Sequence, residues 1–213
     1  MVAVGQDQRV TRAIPVTPAG VVDAVVARAD EMDGLRFVAI DGAAATDPHG
    51  LGGAVVAAIA PRRQALHVRA DRFWRPAGQR FEYGKEDVDA YLDLWLDVEA
   101  LRREVFDAAL SGRRVLEGLR DPASDRSLRL NPVEVGDDAI VVVSGSTILG
   151  RSLEFEVAVH LRMSPSALAR RTPAAEAWTL DALARYATDV DPESVADLVV
   201  RCDDPAHPAL VVD

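Results

Sequence analysis

At 213 residues, 49% apolar and 27% charged, the chain has the size and balance of one globular domain with a continuous core. A net charge of -10 excludes general attraction to nucleic acid or anionic lipid, and no apolar stretch approaches the roughly 20 residues that span a bilayer. A single cysteine, Cys202, excludes an internal disulfide, and the start MVAVGQDQRV lacks the basic and apolar regions of a secretory leader, so a cytoplasmic location is expected.

In chain order, Thr17-Pro18 followed by AGVVDAVVARADEM predicts a capped amphipathic helix inside an N-terminal extension over 1–34. LRFVAID (35–41) is a short apolar run suited to a buried central strand, and GLGGAVVAAIA after it is a small-residue helix. QALHVRA (64–70) predicts a second strand, and residues 86–110 carry a helical spacing of Tyr91, Leu92, Trp95, Leu96, Leu101 and Val105. Residues 112–136 read as an inserted β-hairpin around Asp121-Pro122-Ala123-Ser124. DAIVVVSG (138–145), FEVAVHLRM (155–163) and ADLVVRC (196–202) are three more strands, with helices at 165–171 and 178–190 and a short connection at 172–177. Strands alternating with helices at this spacing predict a three-layer α/β domain: a five-stranded, mostly parallel sheet with helices on both faces. Ligands in such sheets sit at the carboxyl ends of the strands, which directs attention to 41–50, 71–76 and 144–150.

Several segments in this order resemble uridine kinase and its actinobacterial relatives, from about Val38 to Leu210. They are VAIDG, ADRFWRP, YGKEDVDAYLDLWLDVEALRREV, RDPASDR, VVVSGSTIL, VHLRMSPSALARR and RYATDVDPESVADLVV. The resemblance implies a phosphate-loop kinase-like fold over a single domain, with 172–177 as a short remnant of the family's lid. It also implies a small nucleoside-like ligand, with no nucleic-acid or membrane partner, and leaves a homo-oligomer open.

The chemistry departs from the family's. A working phosphate loop, G-x-x-x-x-G-K-[ST], cradles phosphate with backbone N–H groups, reaches it with the lysine and holds Mg²⁺ with the hydroxyl. Aligned on Gly42, this chain has Asp47 for the second glycine, Pro48 for the lysine and His49 for the hydroxyl residue, followed by Gly50. Asp47-Pro48 reads as a helix cap and first helical residue, and a carboxylate there repels phosphate. Ser144 stands where the family has an acidic Mg²⁺ ligand, and the lid segment TPAAEAW lacks arginine, although Arg170 and Arg171 precede it.

The acceptor side is better matched. The resemblance assigns Asp71 the role of base toward the nucleoside hydroxyl, and Asp121, Asp125 and Arg126 to the hairpin that closes over the base. Phe73, Trp74, Phe81 and Tyr83 are four aromatics within a short stretch and are expected to wall a base-sized pocket. His67 and His160 lie inside apolar strands and read as structural; His49 approaches Asp47 and Asp71 only if its loop folds inward, and no Cys/His spacing is typical of zinc. The leading expectation is a nucleoside- or metabolite-binding protein in which ATP-dependent transfer has lapsed, with no cofactor. One alternative is an active kinase using Mg-ATP, with Asp71 as base and Arg170 or Arg171 neutralising phosphate. The other is a non-catalytic structural or oligomer-forming module.

Overall fold

The computed structural model describes residues 12–212; the start of the N-terminal extension, residues 1–11, lies outside them. The chain runs β1 (Arg12–Pro15), α1 (Pro18–Asp30), β2 (Arg36–Gly42), α2 (Pro48–Ile59), β3 (Ala65–Arg69), then four short helices, α3 (Ala77–Arg80), α4 (Val88–Asp93), α5 (Val98–Leu101) and α6 (Ala108–Gly112). It continues with β4 (Arg114–Val115), β5 (Val133–Glu134), β6 (Ile140–Gly145), β7 (Val157–Arg162), α7 (Pro165–Arg171), α8 (Thr179–Asp189), α9 (Pro192–Val195), β8 (Leu198–Arg201) and β9 (Ala209–Val212).

The main sheet has seven strands rather than the expected five, in the order β1-β9-β8-β7-β2-β6-β3. The five expected strands are its contiguous parallel part. The two added are short and antiparallel: β9 pairs with β8, and β1 with β9. A four-residue strand ending in Pro15 fits only at an edge, where its missing N–H leaves no ladder bond unmade.

Side chains alternate across the sheet, so each strand feeds two cores. On one face Val38, Ile40, Val142 and Val159 pack against Val21 and Val25 of α1 and Val55 and Ile59 of α2. On the other, Phe37, Ala39, Val68, Val141 and Val143 pack against Leu101 and Val105 from the α4–α6 region and Ala182 and Tyr186 of α8. β2 and β6 are buried along nearly their whole length because helices cover both faces there.

Two expectations need correction. The helix expected over 86–110 is interrupted after α4, because backbone pairing wins over periodicity. The Arg75 N–H donates to the Trp95 carbonyl at 2.8 Å, the Asp97 N–H donates to the Phe73 carbonyl at 3.0 Å, and the Asp97 side chain restarts the chain as the N-cap of α5. The helix then widens to π geometry over Arg102–Asp107. The hairpin of 112–136 is regular only at its base, where β4 and β5 pair over two residues each. Its tip is an Asx turn, with Asp121 Oδ1 accepting from Ser124 N and Oγ at 2.7 Å, and the Leu119 and Arg120 N–H groups both donate to the Arg72 carbonyl.

Candidate functional site

The β2–α2 turn closes on itself. After β2 the chain makes one tight turn over Ala44–Thr46 and enters α2 through Asp47 in the left-handed region (φ 54°). The Asp47 carboxylate accepts the Gly50 N–H at 2.9 Å, and buried Pro48 occupies the first helical position. The cap and proline of the sequence reading are therefore in place, and the carboxylate sits at the positive end of the helix dipole.

Alternation sends Ser144 of β6 and His67 of β3 to the α2 side of the sheet, where a polar chain forms. The fully buried Ser144 Oγ lies 2.8 Å from His67 Nε2 and 2.7 Å from His49 Nδ1. Its single hydrogen means that one ring accepts from Ser144 and the other donates to it. His49 Nε2 is 3.4 Å from Asp71 Oδ2, and Arg69 grips the same carboxylate with two hydrogen bonds, of 2.5 and 3.1 Å. Burial acts to raise the Asp71 carboxyl, but hydrogen bonds from His49 and Arg69 outweigh it and bring the pKa down to about 2. Burial is also the main cause that lowers His67, to about 4, with nearby His49, Arg69 and Arg72 adding to it and Asp71 opposing. Room for the His67 ring exists because residue 52 is glycine: a Cβ there would stand 2.5 Å from Nε2.

Beside this chain of groups opens a cleft of about 800 Å³ at the carboxyl end of the sheet. Its polar rim includes Asp47, His49, Asp71, Thr147, Arg171 and Glu176. Its wall is aromatic, with Trp95 at the centre. Trp95 lies 5.1 Å from Trp74, 5.1 Å from Tyr91, 5.6 Å from Phe81 and 5.6 Å from Trp178, centroid to centroid. The protein's three tryptophans thus meet in one place. Arg80, only 4% exposed, stacks its guanidinium within 5.1 Å of the Trp74, Phe81 and Trp95 centroids and lies 3.5 Å from Asp125. Burial lowers its pKa, against the hydrogen bond that it donates to Asp125.

No family model and no curated protein matches the chain. Solved structures do. A possible uridine kinase from Bacillus stearothermophilus superposes with a TM-score of 0.69 at 17% identity, covering 85% of this chain and 97% of that one. A provisionally named fructose transport system kinase from Silicibacter sp. TM1040 superposes with a TM-score of 0.58 at 20% identity, covering 85% and 95%. The fold is that of the phosphate-loop kinases.

On this kinase fold the expected site residues divide. Asp47, Pro48, His49, Asp71, Trp74, Phe81 and Arg171 line the cleft. Gly42, at the end of β2, and Gly50, exposed in the first turn of α2, frame the turn without lining the cleft. Ser144 lies beneath the cleft floor, under the two histidines. Phe73 is wholly buried in the core, Tyr83 is 66% exposed, and Arg126 and Arg170 are exposed away from the cleft lining. Asp121 shapes the hairpin turn, and Asp125 acts at one remove, holding Arg80 and the Ala77 N–H (3.0 Å). Tyr91, Trp95 and Trp178 escaped the sequence reading because they fall on helical spacing, the same signal a core face gives. Their rarity was the available clue. Among the described residues no group of three or more His, Cys, Asp or Glu side chains is disposed to hold a metal ion. Among the same residues no helix is long and apolar enough to cross a membrane.

Proposed function

We propose that the protein binds a nucleoside-like small molecule in the aromatic cleft and does not transfer phosphate from ATP. One observation carries the reading: the Asp47 carboxylate already occupies the amide end of α2 where a phosphate would sit. The residues present do not fit Mg-ATP. Pro48 has no N–H to offer and is buried, His49 is tied between Ser144 and Asp71, and Asp47 presents negative charge to a polyanion. Asp71 is also a poor general base, because a carboxylate held at about 2 has little affinity for a proton near neutral pH. In this reading it is the anchor of His49.

The cleft suits a flat, polar-edged molecule. Its volume of about 800 Å³ accommodates a nucleoside, its rings supply faces for stacking, and Thr147, Glu176 and Arg171 supply hydrogen-bonding groups at the rim. With all three tryptophans in or beside the wall, ligand entry reports itself as a change in indole fluorescence. The test is titration with uridine, cytidine, UMP and Mg-ATP, read by tryptophan emission and by thermal unfolding. A ligand at 100 times its Kd stabilises by about 2.7 kcal/mol. A nucleoside response weakened in Trp74→Ala, with none from Mg-ATP, is the expected result. Stabilisation by Mg-ATP, or no response to any nucleoside, overturns the proposal.

A further inference from the structure

Beyond the β2–α2 turn lies a second cavity, of about 500 Å³, bounded by the end of β7 and by helices α7, α8 and α9. Its polar floor is built by strand register. Asp41, the last residue but one of β2, lies directly opposite His160 of β7, and both point to the face shared with Ala39 and Ala158. Asp41 is wholly buried with both oxygens engaged: Oδ1 accepts the Ile148 N–H at 2.8 Å, and Oδ2 lies 2.8 Å from His160 Nδ1. A carboxylate can only accept, so Nδ1 carries the hydrogen and Nε2 is left as the free ring position. His160 lines the cavity, and its Nε2 makes no hydrogen bond among the described residues.

The walls are apolar, formed by Leu161, Met163, Leu168 and Leu183. Charge at the rim is mostly negative. Asp181, Asp191 and Glu193 stand against one cation, Arg162, whose Nε already lies 2.7 Å from Glu193. An anionic head is therefore opposed, while a neutral O–H finds in His160 Nε2 an acceptor with no partner among the described residues.

We infer that this cavity is a second binding site, for a small apolar molecule bearing a neutral hydroxyl group, which donates to His160 Nε2 while Asp41 holds the ring. It adjoins the aromatic cleft across Ala43, Ser146, Thr147 and Leu183, which line both, but His160 belongs to this cavity alone. Its volume lies within the range of small-molecule pockets, and its composition, apolar walls with a few polar groups that include the oriented His160 ring and the hydroxyls of Ser146, Thr147 and Tyr186, is theirs as well. An unpaired Nε2 in an apolar cavity is the kind of group whose hydrogen bond discriminates between ligands, since a molecule lacking the donor leaves it buried and unsatisfied.

The probe is menthol, compared with its methyl ether, which lacks the O–H, and with the corresponding carboxylate. The readout is NMR of methyl-labelled methionine, because Met163 lines this cavity and not the cleft. Menthol is expected to shift the Met163 methyl saturably, with the ether and the carboxylate weaker by about tenfold or more. His160→Phe should bring menthol down to the level of the ether. Ala187→Phe, which fills the cavity from α8 and leaves the Asp41–His160 pair intact, should abolish the response. It also keeps the test decisive if the His160 variant does not fold. A Met163 methyl unmoved by millimolar menthol, an ether as tight as menthol, or tightest binding by the carboxylate overturns the inference.

Discussion

His67 makes the stability of this protein depend on pH in a defined window. Its pKa falls from the ordinary 6.5 to about 4, chiefly through burial, with the neighbouring His49 as the next cause. Lowering means that the native state prefers the neutral ring. Above pH 6.5 neither state binds the proton and the native fold has its full stability. As pH falls from 6.5 toward 4 the unfolded chain takes up a proton that the native one refuses, so stability declines; below 4 both are protonated and the decline stops. The full shift is worth about 3 kcal/mol, reduced to about 2 kcal/mol because solvent reaches part of the ring. The assay is urea unfolding followed by tryptophan emission at intervals from pH 7.5 to 4, on the wild type and on His67→Gln, which keeps a hydrogen-bonding group near Ser144 but cannot titrate. The difference between the two curves removes the contributions of groups that do not interact with His67, the chain's net negative charge included. It should narrow by about 2 kcal/mol across the window in the variant's favour. A constant difference refutes the assignment of His67 as a ring held neutral by burial.

The β2–α2 turn yields two further predictions. Asp47→Ala loses the cap and places alanine in the left-handed region, and should cost about 1–2 kcal/mol, whereas Asp47→Gly removes the backbone strain and should cost less; denaturant midpoints that rank alanine above glycine contradict this. Gly52→Ala lies inside a helix, where alanine ordinarily stabilises by about 1 kcal/mol, yet its Cβ would stand 2.5 Å from His67 Nε2, so a net loss of about 1–3 kcal/mol is expected. A raised melting temperature for Gly52→Ala would show that the His67 ring is not confined by α2.

Much of the architecture could be read from the chain because its parallel strands are buried on both faces. LRFVAID and DAIVVVSG are continuous apolar runs for that reason, and the helices between them announce themselves by Thr17-Pro18, Asp47-Pro48 and Ser164-Pro165 caps that the structure forms. RAIP and ALVV were missed because two four-residue strands at the margin of the sheet bury too little to leave a pattern. The site divides along the same line. Asp71, Trp74 and Phe81 follow the end of a readable strand and were found. Trp95 and Trp178 enter the cleft from elements whose breaks and angles depend on long-range backbone pairing. The partner of His160 could not be read because it is fixed by which strands lie side by side. Asp41 meets His160 only because β2 sits next to β7, and Ser144 meets His49 and His67 only because β6 sits between β2 and β3.

The same adjacency decides what would be needed to restore an anion site at the start of α2. Pro48→Lys alone supplies a cation but leaves the Asp47 carboxylate on the Gly50 N–H, so the new lysine is neutralised within the turn. Asp47→Gly alone frees the amide but leaves His49 fastened to Ser144 and Asp71, with no cation at hand. His49→Thr alone supplies the hydroxyl, yet it strips Ser144 of one of its two imidazole partners and Asp71 of one of its two. Asp47 and His49 are engaged by different neighbours, Pro48 offers neither charge nor N–H, and no single reversion completes a phosphate cradle. The replacements therefore behave as a coupled unit, in which Asp47→Gly, Pro48→Lys and His49→Thr together should gain affinity for inorganic phosphate and triphosphate that no single change confers. Equal affinity in any one of the single variants would show that the turn was never closed against anions.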